Sequence, residues 1–112
     1  MKNNENWVNN IAAEAFELQD LVEYQKNAVV SRTLIDRESG TLTLFALDKG
    51  QTISQHTVPH DALVQILDGK AKIKISGKEL VLSQGESTIM PASEPHSLEA
   101  EKKFKMLLTM IR

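Results

Sequence analysis

The 112-residue sequence contains no cysteine. This absence excludes a disulfide framework and any thiolate metal site, and it is compatible with a reducing cytoplasm. Long apolar segments are also lacking, because the longest uninterrupted apolar run is Leu44 to Leu47. Neither a signal peptide nor a membrane-spanning helix fits in so short a run. We therefore expect a soluble, unprocessed, cytoplasmic protein with no membrane partner.

A strong charge of one sign is missing as well. The formal net charge is -2, with 13 basic and 15 acidic residues interspersed along the chain. Nucleic-acid-binding domains carry a basic patch or stripe that attracts phosphates. The sequence shows no such pattern, which argues against a nucleic-acid partner.

The length is typical of one domain, enough to bury a single hydrophobic core and too short for two. We expect one domain over residues 1–112, in which a helical extension, residues 1–20, precedes a β-barrel, residues 21–112. Within the extension, apolar residues from Trp7 to Leu18 recur at the spacing of one helical face, which predicts a short N-terminal helix on the outside of the barrel.

After Asp20 the pattern changes to the alternation that is typical of β-strands. Ala71, Ile73 and Ile75 alternate with lysines before the turn at Gly77, so successive side chains should point to opposite faces of a sheet. We predict strands at about 28–36, 41–48, 52–57, 63–67, 70–76, 80–82, 87–90, 96–99 and 104–111. So many short strands in a small domain must close or stack to protect their edges, and a jelly roll is one standard solution.

The chain has only three histidines, and all of them fall in two segments bounded by glycine and proline. In the first segment, Gly50 is followed by five residues, His56, one residue and Val58, then three residues, Ala62, six residues and Gly69. This spacing resembles the first motif of the cupin superfamily. In that motif, the positions of Val58 and Ala62 usually hold a second histidine and a glutamate.

The second segment matches the second cupin motif in the same manner. Gly85, Pro91 and His96 stand at the family's spacing, while Ser93 replaces a glycine and Ala100 replaces an asparagine. The resemblance identifies the chain as a small, single-domain, conserved-barrel cupin. It implies an all-β fold, a double-stranded β-helix or jelly-roll barrel with a short N-terminal α-helix.

In cupins, the side chains of the two motifs converge on a metal ion in the barrel mouth. The resemblance therefore implies that His56 and His96 face inward as metal ligands. Two imidazoles alone hold a first-row metal weakly, whereas a third allows zinc, nickel, iron, copper or manganese to bind. His60 is the candidate third ligand. Pro59 should end the strand and place His60 on a turn, from which it can face either the barrel or solvent.

Strand parity predicts an inward-facing set around the histidines. These residues are expected to line a mainly apolar pocket for a small organic ligand or substrate; they are Ser54, Val58, Ala62, Val64, Ile66 and Leu98. Asp61 and Glu94 flank the site, but each lies near a proline or in a turn, where capping is the expected role rather than general-base catalysis.

Three functions stay open at this point. The first is a metal-dependent oxygenase or isomerase-like enzyme, and the second is a metal-free module that binds or senses a small molecule. The third is a metal-free isomerase in which His56 or His96 acts as acid or base. We also expect a homodimer, since small cupins commonly pair through their sheets. The catalytic residues and the substrate are not specified by the sequence.

Overall fold

The computed structural model describes the backbone of residues 2–112 and the side chains from Trp7 onward. Helix α1 spans Lys2–Ile11 and a short 3-10 helix spans Leu18–Leu21. Eight strands follow; seven lie close to one predicted segment each, and the fourth joins the two segments predicted at 63–67 and 70–76. They are β1 (Val29–Arg37), β2 (Gly40–Leu47), β3 (Thr52–His56), β4 (Asp61–Ile75), β5 (Lys78–Ser83), β6 (Ser87–Met90), β7 (His96–Glu99) and β8 (Phe104–Ile111).

The N-terminal helix begins and ends earlier than the sequence pattern predicts. It ends at Ile11 rather than at Leu18, because Ala13 has a φ of 66°. This left-handed conformation cannot continue a right-handed helix. Leu18 instead begins the separate 3-10 helix. The prediction of a helix before the barrel is therefore right, and its predicted bounds are wrong.

The longest strand, β4, belongs to two antiparallel sheets. Its first half pairs with β8 and β6, and its second half pairs with β5 and β7. The first sheet has the order β1-β2-β8-β4-β6, and the second has the order β5-β4-β7-β3. This curled arrangement confirms the jelly-roll barrel expected from the motifs.

Gly69 lies where β4 passes from one sheet to the other. Its φ is +79°, and a Cβ built at this position would overlap the carbonyl oxygen of Lys103. Only glycine combines a left-handed backbone with so close an approach of another chain segment. The closing glycine of the first motif is thus required by the fold rather than by the chemistry of the site.

The barrel interior is filled by apolar side chains from both sheets. Ala62, Val64 and Ile66 point inward from β4, as strand parity predicts. They form one buried cluster with Leu47, Ala71, Ile73, Leu82, Met90, Leu98, Ala100, Phe104 and Met106. This cluster is the main core of the molecule.

A second core lies on the outer face of the first sheet. Val22 is fully buried there with Leu44, Ala46 and Leu107, because residues 18–24 cross that face. Helix α1 is attached beside it, where the Arg32 guanidinium lies 3.7 Å from the centre of the Trp7 ring. Such cation–π contacts contribute about 0.5–2 kcal/mol. Within residues 2–112, no helix has both the length and the apolar character needed to cross a membrane.

Candidate functional site

His56 and His96 face each other across two neighbouring strands. His56 ends β3, His96 begins β7, and the two residues are paired in the antiparallel register. Their Nε2 atoms lie 3.1 Å apart, and their rings meet edge to face with centroids 4.3 Å apart. His96 is 3% exposed, whereas His56 is open to solvent. The fold therefore brings together two of the three histidines.

An irregularity in β3 decides which side chains share this face. Ile53 pairs with Leu98, and His56 pairs with His96, so three steps along β3 match two steps along β7. The extra residue is a β-bulge, which shifts the alternation of faces by one. In a regular strand, Ser54 would share the face of His56, and the sequence therefore predicts that it lines the pocket. The Ser54 side chain is instead exposed. Ile53 packs against the core in its place.

The other nitrogen of each imidazole ring contacts a backbone carbonyl. His56 Nδ1 lies 2.8 Å from the Ser54 oxygen, and His96 Nδ1 lies 3.3 Å from the Glu94 oxygen. A carbonyl oxygen only accepts hydrogen bonds, so each Nδ1 is the donor and carries the proton of the neutral ring. The two unprotonated Nε2 atoms consequently lie 3.1 Å apart. Two neutral rings repel in this arrangement, and a proton or a cation shared between them relieves the repulsion.

Protonation of the buried ring is disfavoured. Burial lowers the pKa of His96 below its ordinary value of 6.5, and the charge of a protonated His56 lowers that pKa further. The hydrogen bond to the Glu94 carbonyl opposes these effects in part. His96 is therefore a neutral imidazole at neutral pH, which is the form that binds metals or accepts a hydrogen bond.

The positions that depart from the family motif have structural roles. Ala62 is 3% exposed and belongs to the main core, while Val58 is half-buried. The Val58 carbonyl accepts a 2.7 Å hydrogen bond from the Ser93 amide, and Ser93 has a φ of 68°. This left-handed conformation explains why glycine is the usual residue at the Ser93 position. Ala100 is buried and exchanges backbone hydrogen bonds with the segment at Gly50.

His60 lies on a bend between β3 and β4 and is half-buried. The turn placed there on account of Pro59 is present. Among the described residues, no group of three or more histidine, aspartate or glutamate side chains is close enough to hold a metal ion. The structure thus assembles the His56–His96 pair and does not bring His60 into it.

Four hydrogen bonds connect the loop before His96 to other segments of the chain. Asp61 Oδ1 accepts from the Ala92 amide at 2.8 Å, and the Ser93 amide donates to Val58. The Ser76 hydroxyl donates to the Glu94 carboxylate, and the Ser76 amide donates to the Pro95 carbonyl at 2.9 Å. Asp61 and Glu94 therefore hold the loop that positions His96, which agrees with the structural role expected from their places near prolines.

Ser76 is the positioning residue that the sequence interpretation missed. It stands in the turn after β4, beside Gly77, and has a φ of 49°. The only signal in the sequence is its place in that turn, where serine hydroxyls often accept or donate local hydrogen bonds. Here the partner is 18 residues away, so local reasoning could not identify it.

The residues expected to line a pocket lie in different environments. Ala62, Val64, Ile66 and Leu98 are buried in the main core, and Val58 is half-buried at the end that carries the histidines. The inward direction of these four residues agrees with strand parity, but each is at most 3% exposed, so they fill the core rather than line an open pocket. Val58 and Ala62 are the members of the set that correspond to ligand positions of the family.

Comparisons with known proteins agree with this architecture. The family model described as a cupin domain matches residues 43–112. A conserved protein of unknown function from Streptococcus pyogenes is 39% identical, with a TM-score of 0.86, over 89% of this chain and 88% of that one. A cupin superfamily protein from Desulfitobacterium hafniense is 26% identical, with a TM-score of 0.84, over 88% of this chain and 91% of that one.

A third solved structure is a cupin 2 conserved barrel domain protein from Leptotrichia buccalis. It is 40% identical with a TM-score of 0.85, and the match covers 87% of this chain but 47% of that one. This chain therefore spans about half the length of the Leptotrichia protein. No protein with a curated function matches the chain, so the substrate has to be inferred from the site itself.

Proposed function

The chain belongs to the cupin family, and from that premise we propose that it holds a divalent transition metal between His56 and His96 and binds a small organic molecule beside the ion. The metal would be zinc, nickel, iron, copper or manganese. The protein would act on the bound molecule as an oxygenase or isomerase-like enzyme, or bind it without turnover.

One observation carries this proposal, namely the convergence of the two Nε2 atoms at 3.1 Å. Zinc and related ions bind imidazole nitrogen at about 2.0–2.1 Å, so two nitrogens on one ion lie roughly 3 Å apart. Histidine ligands also usually donate their second ring N–H to a carbonyl or carboxylate, which fixes the ring orientation. Both Nδ1 atoms face carbonyl oxygens in this manner. The pair therefore fits a metal in the spacing of its nitrogens and in its outer hydrogen bonds.

Two protein ligands leave the rest of the coordination sphere open. Val58 and Ala62 cannot supply a donor from their side chains, so water, His60 or the organic ligand would fill the remaining positions. A metal held this way would supply Lewis acidity to a carbonyl or hydroxyl oxygen of the ligand. The bound molecule would then contribute to metal affinity, since it completes the coordination.

The surrounding chain would orient the small molecule. Val58 is half-buried at a position where a polar ligand is usual, and its apolar side chain favours an apolar part of the molecule at that end. His56 is exposed and His96 is buried. A ligand would thus approach from the side of His56, while His96 anchors the site from within.

A second candidate function is metal-free binding or acid–base catalysis. It is favoured by the lowered pKa of His96, which results first from burial and keeps the ring a neutral acceptor. A hydroxyl or carboxylic acid of the ligand could donate to one Nε2, and the shared proton would remove the repulsion between the two lone pairs. This function needs a pocket but no ion.

The experiment that separates these functions is elemental analysis of tag-free protein purified without chelator, with the His96→Ala variant as control. Near-stoichiometric metal in the wild type and its loss in the variant are expected. Little metal in the wild type, even after incubation with each ion, would contradict the proposed metal site and favour the second function. Stoichiometric metal retained by His96→Ala would place the ion elsewhere.

A further inference from the structure

Four residues stand at one register across the second sheet, at the end that carries the histidines. Lys78 on β5 pairs with Ile75 on β4. Ile75 pairs in turn with His96 on β7, which pairs with His56 on β3. Directly opposed residues of antiparallel strands point to the same face of a sheet. The register therefore places Lys78 on the face that carries the two histidines, one strand beyond Ile75.

The burial of the neighbouring side chains identifies this face as the inner one. Ile75 is half-buried and packs against the main core. Along β5, Leu80 is half-buried and Leu82 is buried, whereas Val81 between them is exposed. Lys78 has the parity of the two leucines, and its side chain, at the start of the strand, is exposed. A charged residue thus stands at the rim of the barrel, on the inner face of β5.

The ammonium group of Lys78 is not committed to an ion pair. Among residues 7–112, whose side chains the structure describes, no carboxylate lies within ion-pair distance of it. Two acids beside the same turn have other partners. Glu79 pairs with Lys72 at 2.8 Å, and Glu94 accepts a hydrogen bond from the Ser76 hydroxyl. The Lys78 ammonium is therefore available to an anionic group of a bound molecule.

The spacing along this row suits a short molecule. Neighbouring strands lie about 4.8 Å apart, so the Cα atoms of Lys78 and His96, on either side of β4, lie roughly 10 Å apart. The lysine side chain has a flexible stem of four carbons, which lets the ammonium group approach the imidazoles more closely than the backbone does. Ile75 lies between them and contributes an apolar side chain.

We propose that Lys78 determines the specificity of this site, and that the bound molecule is a small carboxylic acid with an oxygen donor at its other end. This inference rests on the proposed function of the histidine pair and names the class of its ligand. The oxygen donor binds at His56 and His96, a short apolar spacer lies over Ile75, and the carboxylate pairs with the Lys78 ammonium. Such a charge pair selects the ligand and sets its orientation more than it raises affinity.

The charges along the row favour an acid over an amine. Lys78 is positive, and burial keeps the pKa of His96 below 6.5, so that ring adds no negative charge at neutral pH. A divalent ion at the histidine pair would add further positive charge. An amine would meet charge of its own sign at both ends of the row, and like charges brought together disfavour binding.

The test compares two diacids with their monoamides. Succinate and glutarate each offer one carboxylate to the histidine pair and a second to Lys78, whereas succinamate and glutaramate replace the second by a neutral amide. Dissociation constants are measured by isothermal titration on zinc-loaded protein of known metal content. In the wild type, at least one diacid should bind about three- to fivefold more tightly than its monoamide, the size expected for an ion pair in contact with solvent. Added salt should reduce this ratio.

Lys78→Gln removes the charge, and Lys74→Gln is the matched control. Lys74 is exposed on β4, next to Ile75, and parity places it on the outer face of the same sheet. The preference for the diacid should disappear in Lys78→Gln and remain in both Lys74→Gln and Lys78→Arg. Equal losses in the two glutamine variants, or no preference in a wild type that holds zinc, would overturn the role of Lys78 alone. A wild type that takes up no zinc would overturn the proposed function and this inference with it.

Discussion

The Nε2 atoms of His56 and His96 lie 3.1 Å apart, although 40 residues separate them in the chain. The antiparallel pairing of β3 with β7 creates this proximity, and the carbonyl partners of both Nδ1 atoms fix the direction of the rings. The distance suits one shared ion or one shared proton. The net charge of the two imidazoles therefore depends on whether an ion or a proton lies between them.

His60 offers a prediction about the number of ligands. If the His60 side chain turns from its bend to complete a metal site, His60→Gly lowers metal affinity by about tenfold or more, since losing even an outer-shell partner of a metal ligand has an effect of that size. Isothermal titration with zinc would measure the change, with Gln55→Gly as the control on the exposed side of β3. An unchanged zinc affinity in His60→Gly would show that His60 is a turn residue and not a metal ligand.

The lowered pKa of His96 predicts a loss of stability in acid. Above the ordinary value of 6.5, the ring is neutral in both the folded and the unfolded states and contributes no pH dependence. As pH falls below that value, the unfolded chain takes up a proton that the folded state resists, so the free energy of unfolding decreases until the folded-state pKa is passed.

Urea denaturation of chelator-treated protein, compared at pH 7.5 and 5, measures this effect. His96→Asn keeps a polar side chain but cannot titrate in this range, so its stability should depend less on pH than that of the wild type. An identical pH dependence in the two proteins would assign the acid sensitivity to other groups.

Ser76 is predicted to act on the site through the loop before β7. Ser76→Ala removes the hydrogen bond to Glu94 and leaves the backbone bond to Pro95 intact. We expect a stability loss of about 0.5–1.5 kcal/mol, the usual net value of one hydrogen bond, together with weaker zinc binding. Ser97→Ala, on the following strand, is the control. A stability loss without any change in zinc affinity would limit Ser76 to a structural role.

Alanine substitutions at Gly69 and Gly77 separate the cost of a left-handed backbone from the cost of a steric overlap. Both have positive φ, at +79° and +84°, but an added Cβ meets the Lys103 carbonyl only at Gly69 and nothing within 4 Å at Gly77. Gly77→Ala should cost about 1–2 kcal/mol for the left-handed conformation. Gly69→Ala should cost at least about 1 kcal/mol more, because backbone must move. Equal urea midpoints for the two variants would show that the backbone around Gly69 can move away from the Lys103 carbonyl without a further loss of stability.

Much of the fold could be predicted because its signals are local. The alternation at Ala71, Ile73 and Ile75 fixes the face that these residues bury, and glycines mark the turns. The continuity of β4 could not be read in this way, since Gly69 looks like a strand boundary in the sequence. It becomes part of one strand only because β8 approaches closely at that point.

The site was predictable to the extent that the motifs fix spacing. The pairing of His56 with His96 follows the motifs, but neither the exposure of His56 nor the bulge after Ile53 shows in the residue types. It moved Ser54 from the expected inner face to the surface. Neither the orientation of His60 nor the distant partner of Ser76 depends on local pattern, so tertiary structure alone determines them.

The sharing of β4 between both sheets has a consequence for how the molecule opens. A strand that pairs with β8 and β6 at one end and with β5 and β7 at the other prevents either sheet from melting alone, since each would take part of β4 with it. Loss of the barrel should therefore be a single cooperative transition. The amides of β4 should exchange with deuterium only through global unfolding, while those of the short edge strand β3 exchange through smaller fluctuations that open His56 to solvent.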